Sequence, residues 1–276
     1  MPLTVNTNMA STNALTALGR TNRSLSSTFQ RISSGLRITK AADDAAGLGV
    51  AENLSALTKG LGQAMRNTND GVSMIEVAES STNEVANIVK RMRELAVQSS
   101  SETLEDTERA YIDEEFTQLS SEVDRIANTV EFNGVKLGDG TVATINVQVG
   151  VMNTTDDQIA ITTGDITAAT LGIDTGSIDL SSSGGASTAL TDLDDALNTL
   201  NGYRATYGSV QNRLESALRN MESYNEKLMG AESRIRDADY AFETSEMSKQ
   251  QIMQQAGLAV LGQANQLNSG VTRLLG

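Results

Sequence analysis

Cysteine and histidine are both absent from the 276 residues of this chain. Without thiols or imidazoles, the chain cannot form a disulfide, a zinc site with Cys or His ligands, a thiol nucleophile or an imidazole base. Catalysis that depends on a thiol, an imidazole or a zinc ion held by them is therefore excluded.

Large rings and proline are also scarce. Aromatic residues make up 3% of the chain, tryptophan is absent and Pro2 is the single proline. A thick globular core normally uses large rings, whereas thin helical layers can be built from Leu, Ile, Val and Ala. The composition favours long helices interrupted by a few turns.

The sequence contains no apolar run near 18 residues, and residues 1–13 lack a basic region followed by an apolar core. We therefore predict a soluble protein without membrane insertion. If the chain leaves the cell, we expect it to do so without a cleaved signal peptide.

The formal net charge of −14 is unevenly distributed. Residues 1–42 contain five basic residues and no acid, whereas residues 137–203 contain nine acids and no Lys or Arg. The basic residues are spaced along a predicted helix and do not form the dense cluster that phosphate binding requires. We expect no nucleic-acid partner.

Residues 43–100 form the organising element of the chain. Their apolar and small residues alternate steps of three and four, which is the pattern of a coiled-coil seam. The seam consists of Leu54, Leu57, Leu61, Ala64, Thr68, Gly71, Ile75, Ala78, Thr82, Val85, Val89, Met92 and Ala96. A helix of this length would extend about 85 Å and needs partners of similar length.

Both ends of the chain carry the same repeat with a polar face of Ser, Thr, Asn and Gln. These side chains are mediocre helix formers, which favours segments that become ordered on packing against other copies over ordinary surface helices. The predicted self-assembly seam consists of Leu15, Leu18, Leu25, Phe29, Ile32 and Leu36 at one end and Met253, Val260, Ala264, Leu267, Val271 and Leu274 at the other.

The middle of the chain predicts a second helix, a β patch at about 130–175 and a third helix. Thr103 and Asp106 suggest a capping box for the second helix, and Asn133-Gly134 a hairpin turn. We interpret 181–185 as a flexible turn or linker and expect heptads from Ser187 to continue through Asn201-Gly202. The predicted fold is mainly α, a long antiparallel coiled coil or helical bundle with a small β-hairpin region, whose terminal helices pair as a coiled coil on assembly.

The sequence offers little for catalysis. Paired acids occur at 43–44, 156–157 and 194–195, at a helix start, in a polar loop and on a solvated helix face. Acid–base chemistry needs carboxylates in contrasting environments, and calcium needs a ligand spacing that is absent here. The glycines at 47–49 lack the preceding strand of a dinucleotide loop. We predict no catalytic residue, cofactor or metal site, and no enzyme.

Several motifs, in order, resemble those of bacterial flagellins. One is Asp-Asp-Ala-Ala-Gly-Leu at 43–48, and another is Glu-Phe-Asn-Gly at 131–134. The full set lies at 28–38, 43–48, 66–71, 91–98, 131–134, 235–240, 254–256 and 263–266. The chain resembles a minimal flagellin that lacks the variable outer domains.

The resemblance implies two domains. Residues 1–42 with 237–276 would form an inner domain of terminal helices. Residues 43–180 with 181–236 would form the outer-tube domain, with no further inserted domain. The implied function is a structural subunit that polymerises with itself into the extracellular flagellar filament and supports motility.

The resemblance also implies partners. These are an export chaperone, the cap and hook-associated proteins and, in animal hosts, an innate receptor. Arg91, Leu95 and Glu115 match the receptor surface of the family, which can also contact neighbouring subunits. The alternatives are a hook–filament junction protein with similar termini and, from another class, a soluble coiled-coil adaptor or chemoreceptor-like module.

Overall fold

The computed structural model describes the backbone of residues 7–275 and the side chains of residues 7–266. Its helices are α1 (Met9–Ser34), α2 (Ala45–Ser99), α3 (Asp106–Thr129), α4 (Ser183–Arg236) and α5 (Tyr240–Leu275). Its strands are β1 (Glu131–Phe132), β2 (Val135–Lys136), β3 (Thr144–Gln148) and β4 (Gln158–Thr162). The predicted mainly α fold with a small β-hairpin region is confirmed. Within the described part, no helix combines the length and the apolarity needed to cross a bilayer.

The chain divides into two compact units. Unit 1 contains the residues up to Leu57 and from Lys227 onward, and unit 2 spans Thr58–Glu226. Both α2 and α4 therefore contribute to both units. The predicted domain boundaries differ from these divisions, because they follow residues 42 and 236 and lie between helices. The predicted domain assignment remains a prediction.

In unit 2, the predicted seam of α2 is buried without exception. Each heptad position from Leu61 to Ala96 is less than a tenth exposed. The guanidinium of Arg93 pairs with Asp194 at 2.7 Å, and Glu79 lies 3.9 Å from Arg204. Because the partner's residue number rises as the α2 number falls, α2 and α4 run antiparallel.

The core of unit 2 is formed by α2, α3, α4 and the segment 166–180. From α3, the buried side chains include Ile112, Phe116 and Val123, at the spacing predicted for that helix. The segment 166–180 adds Ile166 and Leu180. Burying each large apolar side chain contributes about 1.5–3 kcal/mol relative to exposure, so this cluster supplies unit 2 with its own source of stability.

A buried arginine closes the turn between α2 and α3. The Arg109 guanidinium donates to the carbonyl oxygen of Ser99 at 3.1 Å and to that of Ser101 at 3.0 Å. These carbonyls follow the last turn of α2, where the helix dipole is negative and favours a cation. Arg109 thereby ties the end of α2 to the first turns of α3.

The predicted capping box at Thr103 and Asp106 is wrong by two residues. The helix begins at Asp106, and the Glu108 carboxylate accepts a hydrogen bond from the backbone N–H of Glu105 at 3.2 Å. Thr103 instead hydrogen-bonds Ser101 within the preceding turn. Several acids follow one another here, so the spacing rule alone could not select the capping pair.

Both hairpins lie where the sequence predicts them. Asn133 and Gly134 join β1 to β2 with φ values of 50° and 79°, which a two-residue type I′ turn requires. Strands β3 and β4 pair antiparallel, from Thr144 opposite Thr162 to Gln148 opposite Gln158.

Two glycines on α2 let the segment around β3 approach the helix. A Cβ on Gly71 would lie 3.1 Å from a methyl group of Val147, and one on Gly60 would lie 2.9 Å from a methyl group of Val151. A larger residue at either position would push the hairpin away from α2. The close packing of this helix against the hairpin thus depends on the absence of a side chain at Gly60 and Gly71.

The interpretation of 181–185 as a linker is wrong, because α4 begins at Ser183. The Ser182 hydroxyl accepts a hydrogen bond from the backbone N–H of Gly185 at 3.1 Å, as an N-terminal cap does. The Ser183 hydroxyl donates to the carbonyl of Ser100 at 3.1 Å and ties this end of α4 to the end of α2. As predicted, α4 continues through Asn201-Gly202 without a break.

Candidate assembly surfaces

The terminal helices α1 and α5 pack antiparallel within one chain. Asn8 donates to the carbonyl of Ala264 at 3.0 Å near one end of the pair, and Gln254 donates to the Asn22 side chain at 2.8 Å near its middle. A Cβ on Gly257 would lie 3.3 Å from Leu18, so the helices are in close contact there. The contact between them combines these polar bonds and small residues with half-buried leucines such as Leu18 and Leu25.

A charged pair lies at the other end of this contact. The Arg31 guanidinium lies 3.2 Å from the Glu243 carboxylate, and Glu243 is only 3% exposed. Arg31 is in the last turn of α1 and Glu243 in the first turn of α5, so each charge also suits its own helix dipole. Buried charges require such pairing, which makes this pair the main electrostatic link of α1 to α5.

Large apolar side chains of the same helices point away from the contact. On α5, Phe242 is 63% exposed, Met253 55% and Val260 58%. Separations of eleven and seven residues place all three on one face of the helix, which we call the α5 stripe. On α1, Leu15 and Phe29 are both exposed and fourteen residues apart, and we call them the α1 stripe. An ordinary helix pair buries its large apolar side chains, whereas these large apolar side chains are exposed and the Glu243 carboxylate is buried.

The residues of the predicted seam divide between the two faces. Leu18, Leu25, Ile32 and Leu36 are half-buried and Ala264 is buried, whereas Leu15, Phe29, Met253 and Val260 are exposed. The side chains of Leu267, Val271 and Leu274 lie outside the described residues. The self-assembly role of the set stays a prediction.

A short backbone clamp joins the ends of α1 and α4. The backbone N–H of Arg37 donates to the carbonyl of Arg236 at 2.7 Å, and that of Ala238 donates to Gly35 at 2.9 Å. The Arg37 guanidinium adds a bond to the carbonyl of Ile235 at 2.6 Å. These bonds connect the segment that follows α1 to the end of α4 and the residues after it. They hold this part of unit 1 together, next to the Arg31–Glu243 pair.

Arg91 and Glu115 come together on the surface of unit 2. The Arg91 guanidinium donates to Glu115 at 2.8 Å and to Glu94 at 3.1 Å, and the bond to Glu115 is the main cause that raises the pKa of Arg91. Leu95, expected on the same surface, is only 1% exposed and belongs to the core. Its side chain packs within the bundle of unit 2, and its part in a receptor or subunit surface stays a prediction.

Some exposed aromatic residues were not singled out from the sequence, among them Phe242 and Tyr111. Phe242 precedes Met253 by eleven residues, so extending the periodicity of α5 back to its first turn would have identified it. Tyr111 on α3 is 79% exposed and lies among acids on the polar face of that helix. No periodic signal marks Tyr111, because it does not belong to an apolar stripe.

A groove of about 330 Å³ runs between α2 and the hairpin region of unit 2. Its apolar lining includes Met74, Phe132, Ile145 and Val147, and its rim is polar at Asn67. The groove is open and has no convergent charged groups, so its shape fits an apolar surface better than a small polar ligand.

The carboxylates of the described residues show no arrangement for acid–base chemistry. Every carboxyl group with a resolved shift has a lowered pKa, as at Asp43, where the backbone N–H and the hydroxyl of Thr39 bind the carboxylate. A general acid at neutral pH needs the opposite shift. Over residues 7–275, no group of three or more acidic side chains is placed to hold a metal ion.

We expect unit 2 to lose stability in acid through the carboxylate of Asp139. The hydroxyl and the backbone N–H of Thr141 bind its carboxylate and lower its pKa. A lowered folded-state pKa contributes stability above the ordinary carboxyl pKa near 4, and this contribution is lost as pH falls through the folded value. We expect the urea midpoint of unit 2 to fall between about pH 5 and pH 3, and to fall less in Asp139→Asn. An equal fall in both proteins would show that Asp139 contributes nothing to this dependence.

Two family models match the chain. The bacterial flagellin N-terminal helical region matches residues 5–143, and the bacterial flagellin C-terminal helical region matches residues 190–275. Together they cover the helices that carry both stripes, the polar contact between α1 and α5 and the Arg91–Glu115 pair.

Curated relatives match over nearly their whole length. A flagellin of Halalkalibacterium halodurans is 40% identical over 271 residues, covering 98% of this chain and 99% of the relative. A flagellar filament 33 kDa core protein of Treponema phagedenis is 38% identical, with the same coverage of both chains. A Bacillus subtilis flagellin is 39% identical and is also covered over 99% of its length.

Solved structures agree on the fold. The crystal structure of Bacillus cereus flagellin matches with a TM-score of 0.50 and 32% identity, covering 56% of this chain and 88% of that one. A putative flagellar hook-associated protein from Vibrio parahaemolyticus matches with a TM-score of 0.59 but 14% identity, covering 71% of this chain and 100% of that one, and shows the fold alone. Paired terminal matches and near-complete alignment with curated flagellins lead to one conclusion: the chain belongs to the bacterial flagellin family.

Proposed function

We propose that this chain is a structural subunit that polymerises into the filament of the bacterial flagellum, with the α1 and α5 stripes as subunit contacts. The observation that carries the proposal is the α5 stripe, three large apolar side chains exposed on one face of a helix in a family of filament proteins. An exposed apolar stripe of this kind is a feature of interaction surfaces.

The stripe suits an open polymer. Helical filaments arise from heterologous contacts, in which two different patches of one subunit meet and do not close into a ring. The α1 and α5 stripes lie on different helices, and the groove beside Met74 provides a further patch in unit 2. Burial of Phe242 and Val260 against a neighbour would contribute about 1.5–3 kcal/mol each.

The finer expectations belong to the same proposal. We propose export through the flagellar secretion apparatus without a cleaved signal peptide, a chaperone on the C-terminal segment, and placement by the cap and hook-associated proteins. Arg91 and Glu115 remain candidates for contact with a neighbouring subunit or a host innate receptor. Leu95 belongs to the same prediction, and its buried side chain packs beneath the surface.

Replacing Phe242 and Val260 by glutamine tests the α5 stripe. We expect elongation on filament seeds of the wild-type chain to slow about tenfold or more, because two apolar burials are lost and 1.4 kcal/mol corresponds to a factor of ten. Elongation is measured as filament length against time by electron microscopy.

The matched control is Thr199→Gln with Ser209→Gln, which introduces the same side chain at two exposed polar positions of α4. We expect this control to elongate at the wild-type rate. Wild-type elongation by the α5 variant would remove the stripe from the subunit contact.

The alternative is a hook–filament junction protein, which the related fold of the putative hook-associated protein keeps open. A junction protein adds a limited number of copies at one place, whereas a filament subunit continues to add. Continued growth of seeds with added chain is expected, and growth that stops after a short fixed addition would favour the junction role.

A further inference from the structure

Methionine is the residue through which oxidants can act on this chain. The sequence has ten methionines and neither cysteine nor tryptophan. Thioethers are oxidised readily where they are exposed. Among the described methionines, Met9, Met152, Met229 and Met253 are more than half exposed, whereas Met74, Met92 and Met221 are buried.

Met253 differs from the other exposed methionines in its surroundings. It lies on the α5 stripe, seven residues before Val260, with the small residue Ala256 on the turn between them, so its sulfur lies next to another large apolar side chain on this face. Met152 is exposed to a similar extent, but it lies in the connection between β3 and β4, beside Asn153 and Thr154.

We infer that Met253 is an oxidation site that controls whether an unassembled subunit can join the filament. The inference rests on the proposed role of the α5 stripe as a subunit contact. The oxidant class is peroxide. The thioether sulfur of Met253 takes one oxygen atom as the O–O bond of hydrogen peroxide breaks, a sulfoxide forms and one water molecule leaves.

Oxidation changes what the stripe can bury. The sulfoxide oxygen is a strong hydrogen-bond acceptor, and it would enter the contact beside the apolar side chain of Val260. The cation one turn earlier on α5, Lys249, is already paired with the Glu246 carboxylate at 3.1 Å. Burying a polar group without a partner is unfavourable, so an oxidised subunit binds the filament end more weakly. In the assembled filament the same contact covers the sulfur. Oxidation therefore acts before incorporation, and a reductase of methionine sulfoxide would restore competence.

The test uses the full-length chain as dilute subunit, treated with hydrogen peroxide and then added to untreated seeds. Peptide mass spectrometry locates the added oxygen, and circular dichroism verifies that helix content is unchanged. We expect oxidised wild-type chain to elongate about tenfold more slowly, which corresponds to one poorly paired buried polar group. Met253→Leu, which keeps the volume and apolarity but cannot be oxidised, should elongate normally with and without peroxide.

Two further variants separate the possible failures. Met152→Leu should remain as sensitive to peroxide as the wild type. Met253→Gln places a polar group at the site without an oxidant and should elongate slowly. If Met253→Gln elongates normally, the α5 stripe is not a subunit contact and the proposed surface fails. If Met253→Gln is slow but Met253→Leu stays sensitive to peroxide, the surface stands and the oxidation site is wrong.

Discussion

Removing residues 1–30, or residues 245–276, is expected to abolish filament formation while unit 2 stays folded. Each deletion removes most of one terminal helix and leaves its partner without the Asn22–Gln254 contact. Unit 2 keeps its own core of α2, α3 and α4, in which the seam from Leu61 to Ala96 is buried. We therefore expect the deletions to remove assembly without lowering the stability of unit 2.

Sedimentation with filament seeds measures assembly, and urea unfolding followed by circular dichroism measures unit 2 in the same samples. The unfolding transition of unit 2 is the internal control, and it should keep its midpoint. Filaments formed by either truncated chain would contradict the role assigned to the terminal helices. Loss of the unit 2 transition would contradict its independence.

Phe116→Ala is expected to lower the free energy of unfolding by about 3–5 kcal/mol. The Phe116 ring is fully buried and belongs to the unit 2 cluster, and its removal leaves a cavity in that cluster. Because domains are stable by only about 5–15 kcal/mol, this single change removes a large share of the stability.

The control lies five residues earlier on the same helix. Tyr111→Ala removes a ring of similar size from a position that is 79% exposed, and it should change stability by less than about 0.5 kcal/mol. Urea unfolding of both variants gives the comparison. Equal effects of the two changes would mean that the cluster around Phe116 does not supply the stability of unit 2.

The heptads of α2 could be predicted from the sequence because the repeat there is long and one-sided. From Leu61 to Ala96 each seam position lies inside, including the polar Thr68 and Thr82. Their hydroxyls donate to the carbonyls four residues earlier, those of Ala64 and Ala78, so they are buried without an unpaired donor. A hydrogen bond from the hydroxyl to a carbonyl of the same helix lets a small polar residue occupy a buried seam position.

The terminal helices show where the pattern does not suffice. A repeat of three and four contains two rows of residues, each with a spacing of seven. On α1 one row passes through Leu18, Leu25 and Ile32, and the other through Leu15 and Phe29. Large apolar residues occur in both rows, with only Asn22 interrupting the second, so periodicity predicts a helix but does not select the residues that face α5. The selection depends on groups more than 200 residues away, such as Glu243, which the repeat does not include.

Contacts near helix ends were hard to predict for a related reason. Ser182 caps α4, and Arg109 satisfies carbonyls at the end of α2, because the chain folds back at these points. A glycine-rich start such as 184–185 is typical of a linker until a neighbouring hydroxyl or guanidinium is placed beside it. Composition therefore indicated flexibility where tertiary contacts fix the backbone.

The pairing of α1 with α5 has a consequence for the order of folding. Arg31 and Glu243 are 212 residues apart and Asn8 and Ala264 are 256 apart, whereas Arg91 and Glu115 in unit 2 are separated by 24. Closing a long loop loses more entropy than closing a short one, and contacts between distant residues form late. A chain that emerges from one end first can form the α2–α3 contacts early, but α1 has no partner until residues 240–264 are present. Unit 1 therefore forms last, when the whole chain has arrived.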